Sequence, residues 1–166
     1  MSNRLGNALK VTVFGQSHAP SIGAVIEGLP AGLALDMAAI SDFMGRRAPG
    51  RSDLTTPRRE ADSPRVIAGL NDRGLTCGSP LCVVIDNGDT RSRDYDQFKR
   101  VPRPGHADYP SRIKFGDGWD VRGGGQFSGR LTAPLCFAGA IALQMLEKKG
   151  VTLWGHLLSV GDACDR

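Results

Sequence analysis

Apolar and polar side chains alternate near the start of the chain, and this period of two predicts β-strands at residues 9–14 and 23–27. Two further short runs of apolar, partly β-branched residues predict strands at 65–70 and 81–85. The pair Asn87 and Gly88, which follows the last run, is typical of a tight turn. The first half of the chain is therefore expected to form a small sheet.

Two other segments have the period of a helix. The first is predicted over 37–46, with Asp36 as its N-cap and a core-facing stripe of Met37, Ile40, Phe43 and Met44. The second is predicted over 132–149, with Thr132 as its cap and Gly150 at its end. Its buried stripe is expected to consist of Leu135, Ala138, Ile141, Ala142, Met145 and Leu146.

Two long polar stretches, 47–62 and 90–119, are predicted to be irregular, and long ordered loops in a domain of this size are usually functional. Residues 151–160 predict a last strand. This strand and the helix before it are apolar enough to need partners that the remaining sequence does not supply. We therefore expect residues 1–166 to be one domain that forms only part of a larger fold.

Composition and charge narrow the choice of ligand. The net charge is +4, and 16 of the 21 Lys and Arg residues lie between Arg46 and Arg130. A solvated basic face and a nucleic-acid surface are alternatives, but the region lacks aromatic platforms and a basic helix, and 11 acidic residues interleave it. The pattern favours a small polyanion over nucleic acid.

Cysteine usage and the absence of targeting patterns suggest an ordinary cytoplasmic protein. The four cysteines have neither CxxC spacing nor histidine partners, so we expect reduced, mostly buried thiols and no metal site. No signal-peptide pattern is present at the start, and the apolar stretches are judged too short to span a bilayer. A soluble protein without membrane contact is the expectation.

The candidate chemistry lies in loops that carry two of the three histidines, His18 and His106. Histidine in such a setting suggests proton transfer, although a lone loop histidine is more often a surface residue. The glycines at 123–125, flanked by Arg122 and Arg130, could bring backbone N–H groups close to an anion. Plainer alternatives are a simple loop, an Arg122 that only orders that loop, and an Asp108 that only holds the turn of His106. His156, in the strand predicted last, is interpreted as structural.

Several multi-residue motifs in fixed order resemble the chorismate synthase family, and the resemblance covers essentially the whole chain but only about the first half of the family's usual length. The motifs are GQSHAPSIG at 15–23, GLPAG at 28–32, RRAPG at 46–50, TTPRRE at 55–60, NGDTRSRDY at 87–95, RPGHADY at 103–109, DVRGGG at 120–125 and GHLLSVG at 155–161. Motifs in this number and order are far more specific than a lone glycine pattern.

The resemblance implies an α+β fold, a β-α-β sandwich of which this chain holds only a part. It implies a cytoplasmic homotetramer that converts 5-enolpyruvylshikimate 3-phosphate to chorismate by 1,4-elimination of phosphate, with reduced FMN and, in some members, NADPH. His18 would protonate the leaving phosphate, and His106 would hold the flavin in a suitable protonation state. The implied cofactor-binding residues are Arg47, Gly124, Gly125, Gln126, Phe127 and Ser128, and the implied substrate-binding residues are Ser17, Arg47, Arg103, Arg122 and Arg130.

The sequence departs from the family pattern mainly at ligand-facing positions. Gln16 and Ala19 stand where the family has Glu and Gly, and Ala48 and Asp53 each replace an Arg. Gln126, Phe127 and Leu131 replace Arg, Ser and Glu. Since these changes remove charges that would hold a polyanion, a non-catalytic relative that still binds flavin or a phosphorylated ligand stays open beside the enzyme.

Overall fold

A computed structural model of the protein describes residues 3–48, 62–88, 95, 97–98 and 100–165. Its centre is a five-stranded antiparallel sheet of strand order β1-β2-β3-β5-β4. The strands are β1 Arg4–Leu5, β2 Lys10–Gly15, β3 Ser21–Glu27, β4 Pro64–Ala68 and β5 Leu81–Asp86. The four strands predicted in the first half of the chain are therefore present, to within a few residues at their ends.

One face of the sheet is covered by two helices, α1 (Met37–Arg47) and α3 (Thr132–Glu147). Helix α3 packs against β2, β3 and β5, and α1 packs against α3. The fully buried side chains between these layers include Ile22, Ile40 and Phe137. This combination of one antiparallel sheet and a helical layer confirms the α+β class.

Helix α1 begins as predicted, because the Asp36 carboxylate accepts a hydrogen bond from the Ala39 N–H at 2.9 Å. Gln144 of α3 exchanges two hydrogen bonds with the Asp36 backbone, at 2.9 and 3.1 Å, and so ties the two helices together. The predicted stripe is correct for Ile40 and Met44, whereas Met37 is 38% exposed. Met37 is the first residue of α1.

Helix α3 corrects two details of the prediction. Its N-cap position is Leu131, and Thr132 instead donates its hydroxyl to the Gly129 carbonyl at 2.7 Å. Leu135 is 38% exposed, while Phe137 is buried. Residues 129–147 are also long and apolar enough to cross a membrane by length and composition, contrary to the sequence expectation, but core helices of soluble proteins pass the same test. Here the buried side chains of α3 pack on the sheet.

Within 90–119, which was predicted to be largely irregular, Asp108–Phe115 form helix α2, an element that the sequence did not predict. Asp108 lies in the first turn, where a carboxylate stabilises the helix dipole, and Pro110 is tolerated there because first-turn N–H groups need no intrahelical partner. The loop predicted at 47–62, including Asp53, lies almost entirely outside the described residues. The residues that follow Gly88, which would complete the turn predicted at Asn87 and Gly88, also lie outside the described residues.

The strand predicted at 151–160 is also wrong. Only β6 (Ser159–Val160) and β7 (Ala163–Cys164) pair, as an isolated hairpin, and every residue from 151 to 165 is exposed. An alternating segment becomes a long strand only beside a neighbour, and the described residues provide none. His156 accordingly lies in the open, where its ring stacks on Trp154, rather than inside a strand.

The cysteines are reduced, as expected, but they are not mostly buried. Cys77 and Cys164 are exposed, and Cys82 and Cys136 are half-buried. Cys77 follows a turn and Cys164 lies in the exposed hairpin of β6 and β7, so neither thiol packs into the core. Within the described residues, no group of three potential ligands could hold a metal ion.

Candidate active site

The loop that carries His18 joins β2 to β3 and is anchored by its neighbour Ser17. Ser17 is fully buried, its N–H donates to the Gly125 carbonyl at 3.2 Å, and its hydroxyl donates to the Arg122 carbonyl at 3.2 Å. Residues more than one hundred positions apart are thereby joined at the end of the sheet. The structure places the predicted substrate-binding Ser17 in a buried, anchoring position.

The glycine loop approaches this anchor so closely that a side chain would not fit. Gly123 has a φ of +61°, and a Cβ at that position would lie 2.5 Å from His18 Cδ2 and 2.4 Å from Ser17 Oγ. At Gly125, a Cβ would lie 2.3 Å from the Asp120 carbonyl oxygen. The N–H of Gly124 donates within the loop, to Val121 at 3.3 Å. Close packing against Ser17 and His18 thus explains Gly123, and the Asp120 carbonyl explains Gly125, whereas the anion cradle stays a prediction.

His106 lies in an exposed turn that Arg103 and Asp108 hold in shape. The backbone N–H, Nε and Nη2 of Arg103 all donate to the Asp108 carboxylate, at 2.8–3.0 Å. Asp108 is 2% exposed, and the hydrogen bonds from Arg103 hold the pKa of its carboxyl below the usual range. The structural role that the sequence left open for Asp108 is therefore the one observed.

A cleft of about 550 Å³ opens beside His106. Its walls include His106, Trp119, Gly124, Phe127 and Ser128. Four residues predicted for the flavin site or for catalysis are thereby brought to one place. Gln126 lines a separate, smaller cleft of about 150 Å³, which Gln16 also lines, so two of the family departures face the same space.

His18 and Arg103 are not part of the wall of this cleft. His18 packs behind Gly123, and its ring makes an edge contact with Tyr95 at a centroid distance of 5.0 Å. The Arg103 guanidinium lies over the rings of Tyr95 and Phe98, 5.5 and 4.5 Å from their centroids. Tyr95 therefore contacts His18 directly and also contacts Arg103, which holds the turn of His106.

Each of the four arginines predicted to bind anions lies against an aspartate. Arg122 donates from Nε and Nη2 to Asp120 two residues away, at 2.8 and 2.9 Å, which holds the pKa of that carboxyl below its usual range. Arg47 and Arg130 share the buried carboxylate of Asp62. The role that the sequence left open for Arg122, ordering its own loop, is thus present in the structure.

Two residues in this network were missed by the sequence reasoning. Asp62 contacts Arg47 fifteen positions away and Arg130 sixty-eight positions away. Asn87 connects Arg130 to the His18 loop. Asp62 has no local signal, whereas Asn87 was considered only as part of a tight turn and of the motif at 87–95. The positive φ of +48° at Asp62 is a conformation that Gly, Asn and Asp adopt more readily than other residues.

Comparison with known proteins identifies the family. The sequence profile described as chorismate synthase matches residues 9–166. The chain belongs to the chorismate synthase family. It is 45% identical over 165 residues to the chorismate synthase of Lancefieldella parvula, with 99% of this chain and 43% of that protein covered. Its identity to the chorismate synthase of Korarchaeum cryptofilum is 42%, with 94% of this chain and 43% of that protein covered.

The solved structures agree with the sequence relatives. A crystal structure of chorismate synthase matches with a TM-score of 0.60 at 26% identity, and the match covers 87% of this chain and 35% of the other. The chain therefore spans about two fifths of the length of the curated chorismate synthases it matches. Family membership and fold follow from these comparisons, and the roles of individual site residues stay predictions.

Proposed function

We propose that this chain takes part in the chorismate synthase reaction, the 1,4-elimination of phosphate from 5-enolpyruvylshikimate 3-phosphate. The observation that supports this most directly is the cleft in which His106 faces Gly124 and Ser128 of the glycine loop. Its volume of about 550 Å³ is that of an ordinary small-molecule site. The reaction class is that of a carbon–oxygen lyase acting on a phosphate.

Reduced FMN is the cofactor proposed with this function, and the cleft suits its ring system. Trp119 and Phe127 supply aromatic surface, and the side-chain-free backbone of Gly124 leaves room for a planar group. When bound, reduced flavin would lend electron density to the substrate as phosphate leaves. His106, on the cleft wall, would exchange a proton with it.

The chain's other residues would position the substrate. His18 would donate a proton to the leaving phosphate, which lowers the cost of separating charge. Arg103 and Arg122 each use Nε and one terminal nitrogen on an aspartate, so an anion would approach the other edge of each guanidinium. The substrate carries a phosphate and two carboxylates and is the polyanion that such edges suit.

Several broader properties belong to the same proposal. We propose a cytoplasmic homo-oligomer, with a homotetramer as in the family, and NADPH as the reductant if the protein reduces its own flavin. The proposed partners are a small phosphorylated polyanion and other copies of the chain, with no role for nucleic acid or membrane.

A second candidate is a non-catalytic relative that binds flavin or a phosphorylated ligand. The pairing of all four arginines with aspartates favours it, because each pair already compensates a charge that a substrate would need. Arg47, Arg130 and Asp62 together carry one net positive charge, which is too little to balance the negative charges of a phosphate and two carboxylates.

Anaerobic turnover of 5-enolpyruvylshikimate 3-phosphate with chemically reduced FMN distinguishes the two. We expect phosphate release and chorismate absorbance, and a decrease of about 10²–10⁴ in kcat for His106→Ala. His156→Ala is the matched control, since His156 is also exposed but lies in the remote 151–165 segment. Turnover in His106→Ala equal to that of the control would refute the role of His106. Flavin binding without turnover would favour the second candidate.

A further inference from the structure

Besides the contacts of Ser17 with Arg122 and Gly125, the loop that carries His18 is held from outside by Asn87. Asn87, which follows β5, donates from Nδ2 to the Gln16 carbonyl at 3.2 Å and to the Ala19 carbonyl at 2.8 Å. Its backbone N–H also donates to the Pro20 carbonyl at 2.9 Å. Three hydrogen bonds from one residue thus span the turn between β2 and β3 on both sides of His18.

The orientation of the Asn87 amide is fixed from its other end. Arg130 Nε donates to Asn87 Oδ1 at 3.0 Å, so the amide oxygen must face Arg130 and the NH₂ group must face the loop. A flipped amide would set its oxygen against two carbonyl oxygens and its NH₂ against a guanidinium. Arg130 itself cannot move freely, because its side chain is 3% exposed and is paired with the buried Asp62.

We infer that Asn87 is a positioning residue for His18, and that Arg130 acts on His18 through Asn87. The two pinned carbonyls flank His18 and leave its ring between the Gly123 backbone and Tyr95. The catalytic meaning of this placement rests on the proposed function, since it presumes that His18 transfers a proton. The placement of the ring by Asn87 does not depend on that function.

This role differs from a general contribution to folding. Asn87 contacts the loop through its side-chain donors and Arg130 through its acceptor, so one substitution separates the two contacts. Asn87→Asp keeps an acceptor for Arg130 at nearly the same size, but it sets a carboxylate oxygen against the Gln16 and Ala19 carbonyls. Asn87→Ala removes both contacts.

The test is a side-chain ¹H–¹⁵N NMR spectrum of the rings of the three histidines. In Asn87→Asp and in Asn87→Ala we expect the His18 ring signals to move while those of His106 and His156 stay in place. The amide protons of Ser17 and Ala19 should exchange about tenfold or more faster, since loosely held segments open more often. In an active preparation, kcat should also fall by about tenfold or more, because small misplacements of a reacting group are costly.

The matched control is Thr76→Val, which removes two hydrogen bonds of a buried side chain that does not contact the His18 loop. The Thr76 hydroxyl donates to Pro30 at 2.6 Å and accepts from the Leu33 N–H at 2.9 Å. This variant should unfold at lower temperature and leave the His18 ring signals unchanged. Unmoved His18 signals in both Asn87 variants would overturn the inference, as would an equal shift in Thr76→Val. If the wild-type chain shows no turnover, the proposed function fails and the ring signals still decide the role of Asn87.

Discussion

The contact between the glycine loop and His18 can be tested by adding one methyl group. In Gly123→Ala the new Cβ would lie 2.5 and 2.6 Å from His18 Cδ2 and Nε2, and 2.4 Å from Ser17 Oγ. Ser17 is buried and makes two hydrogen bonds, so it cannot move aside without breaking at least one of them. The variant must therefore displace the His18 ring or open the loop.

The loss of stability expected in Gly123→Ala has a backbone part and an overpacking part, and the neighbouring variant Gly124→Ala separates them. Gly123 and Gly124 both have left-handed backbone, with φ of +61° and +90°, which costs an alanine about 1–2 kcal/mol. At Gly124 the nearest atom to a Cβ would be Ser128 Cβ at 3.7 Å, an ordinary contact. Only Gly123→Ala adds overpacking, for about 1–3 kcal/mol more. The loss of unfolded-state entropy is the same in both variants and cancels.

Thermal unfolding followed by circular dichroism measures this difference. For a chain of this size about 1 kcal/mol corresponds to roughly 2–4 °C, so Gly123→Ala should unfold roughly 2–12 °C below Gly124→Ala. The His18 ring signals should move in Gly123→Ala and not in Gly124→Ala. Equal unfolding temperatures for the two variants would refute the close approach between Gly123 and His18.

Two further predictions concern the aspartates. Asp62→Asn should lower the free energy of unfolding by about 3–5 kcal/mol in urea titrations, because the buried Arg130 loses its counter-charge while asparagine still tolerates the positive φ; a loss below about 1 kcal/mol would contradict the buried pair. The pKa of Asp108 is depressed in the folded state by Arg103, so its stabilisation is present above about pH 4, the ordinary range of an aspartate, and is lost as pH falls through the lower folded value. The stability difference between wild type and Asp108→Asn should therefore shrink between pH 6 and pH 3, and a constant difference would argue against the Arg103 pairing.

The sheet and α1 were predictable because their signals are local. Strand β5 alternates between fully and partly buried residues, and Asp36 at the start of α1 makes the hydrogen bond that its position predicts. Helix α2 was missed because it has only eight residues and contains Pro110, which a sequence pattern treats as a breaker. Whether 151–160 forms a long strand depends on a neighbour, which no pattern within the segment can report.

The candidate site was predictable only in part. The motifs located His106, Gly124, Phe127 and Ser128, which the structure brings to one cleft. Their surroundings depend on pairs far apart in the sequence, such as Arg130 with Asp62 and Asn87. No local periodicity carries such pairs, because each is created by the topology of the sheet. The sequence offered an anion as the reason for the three glycines, and the structure adds a steric reason for Gly123 and Gly125.

The aspartates change how the arginines could recognise a polyanion. An unpaired arginine would pay conformational entropy to meet its ligand, whereas Arg103 and Arg122 are already fixed by bidentate contacts. The same contacts reduce the charge each offers, so affinity would depend on the direction of the remaining N–H groups more than on net charge. Shape would then decide which anion binds. Asp62, Asn87 and Arg130 extend the same principle to His18, which is fixed by buried polar contacts rather than by the loop's own sequence.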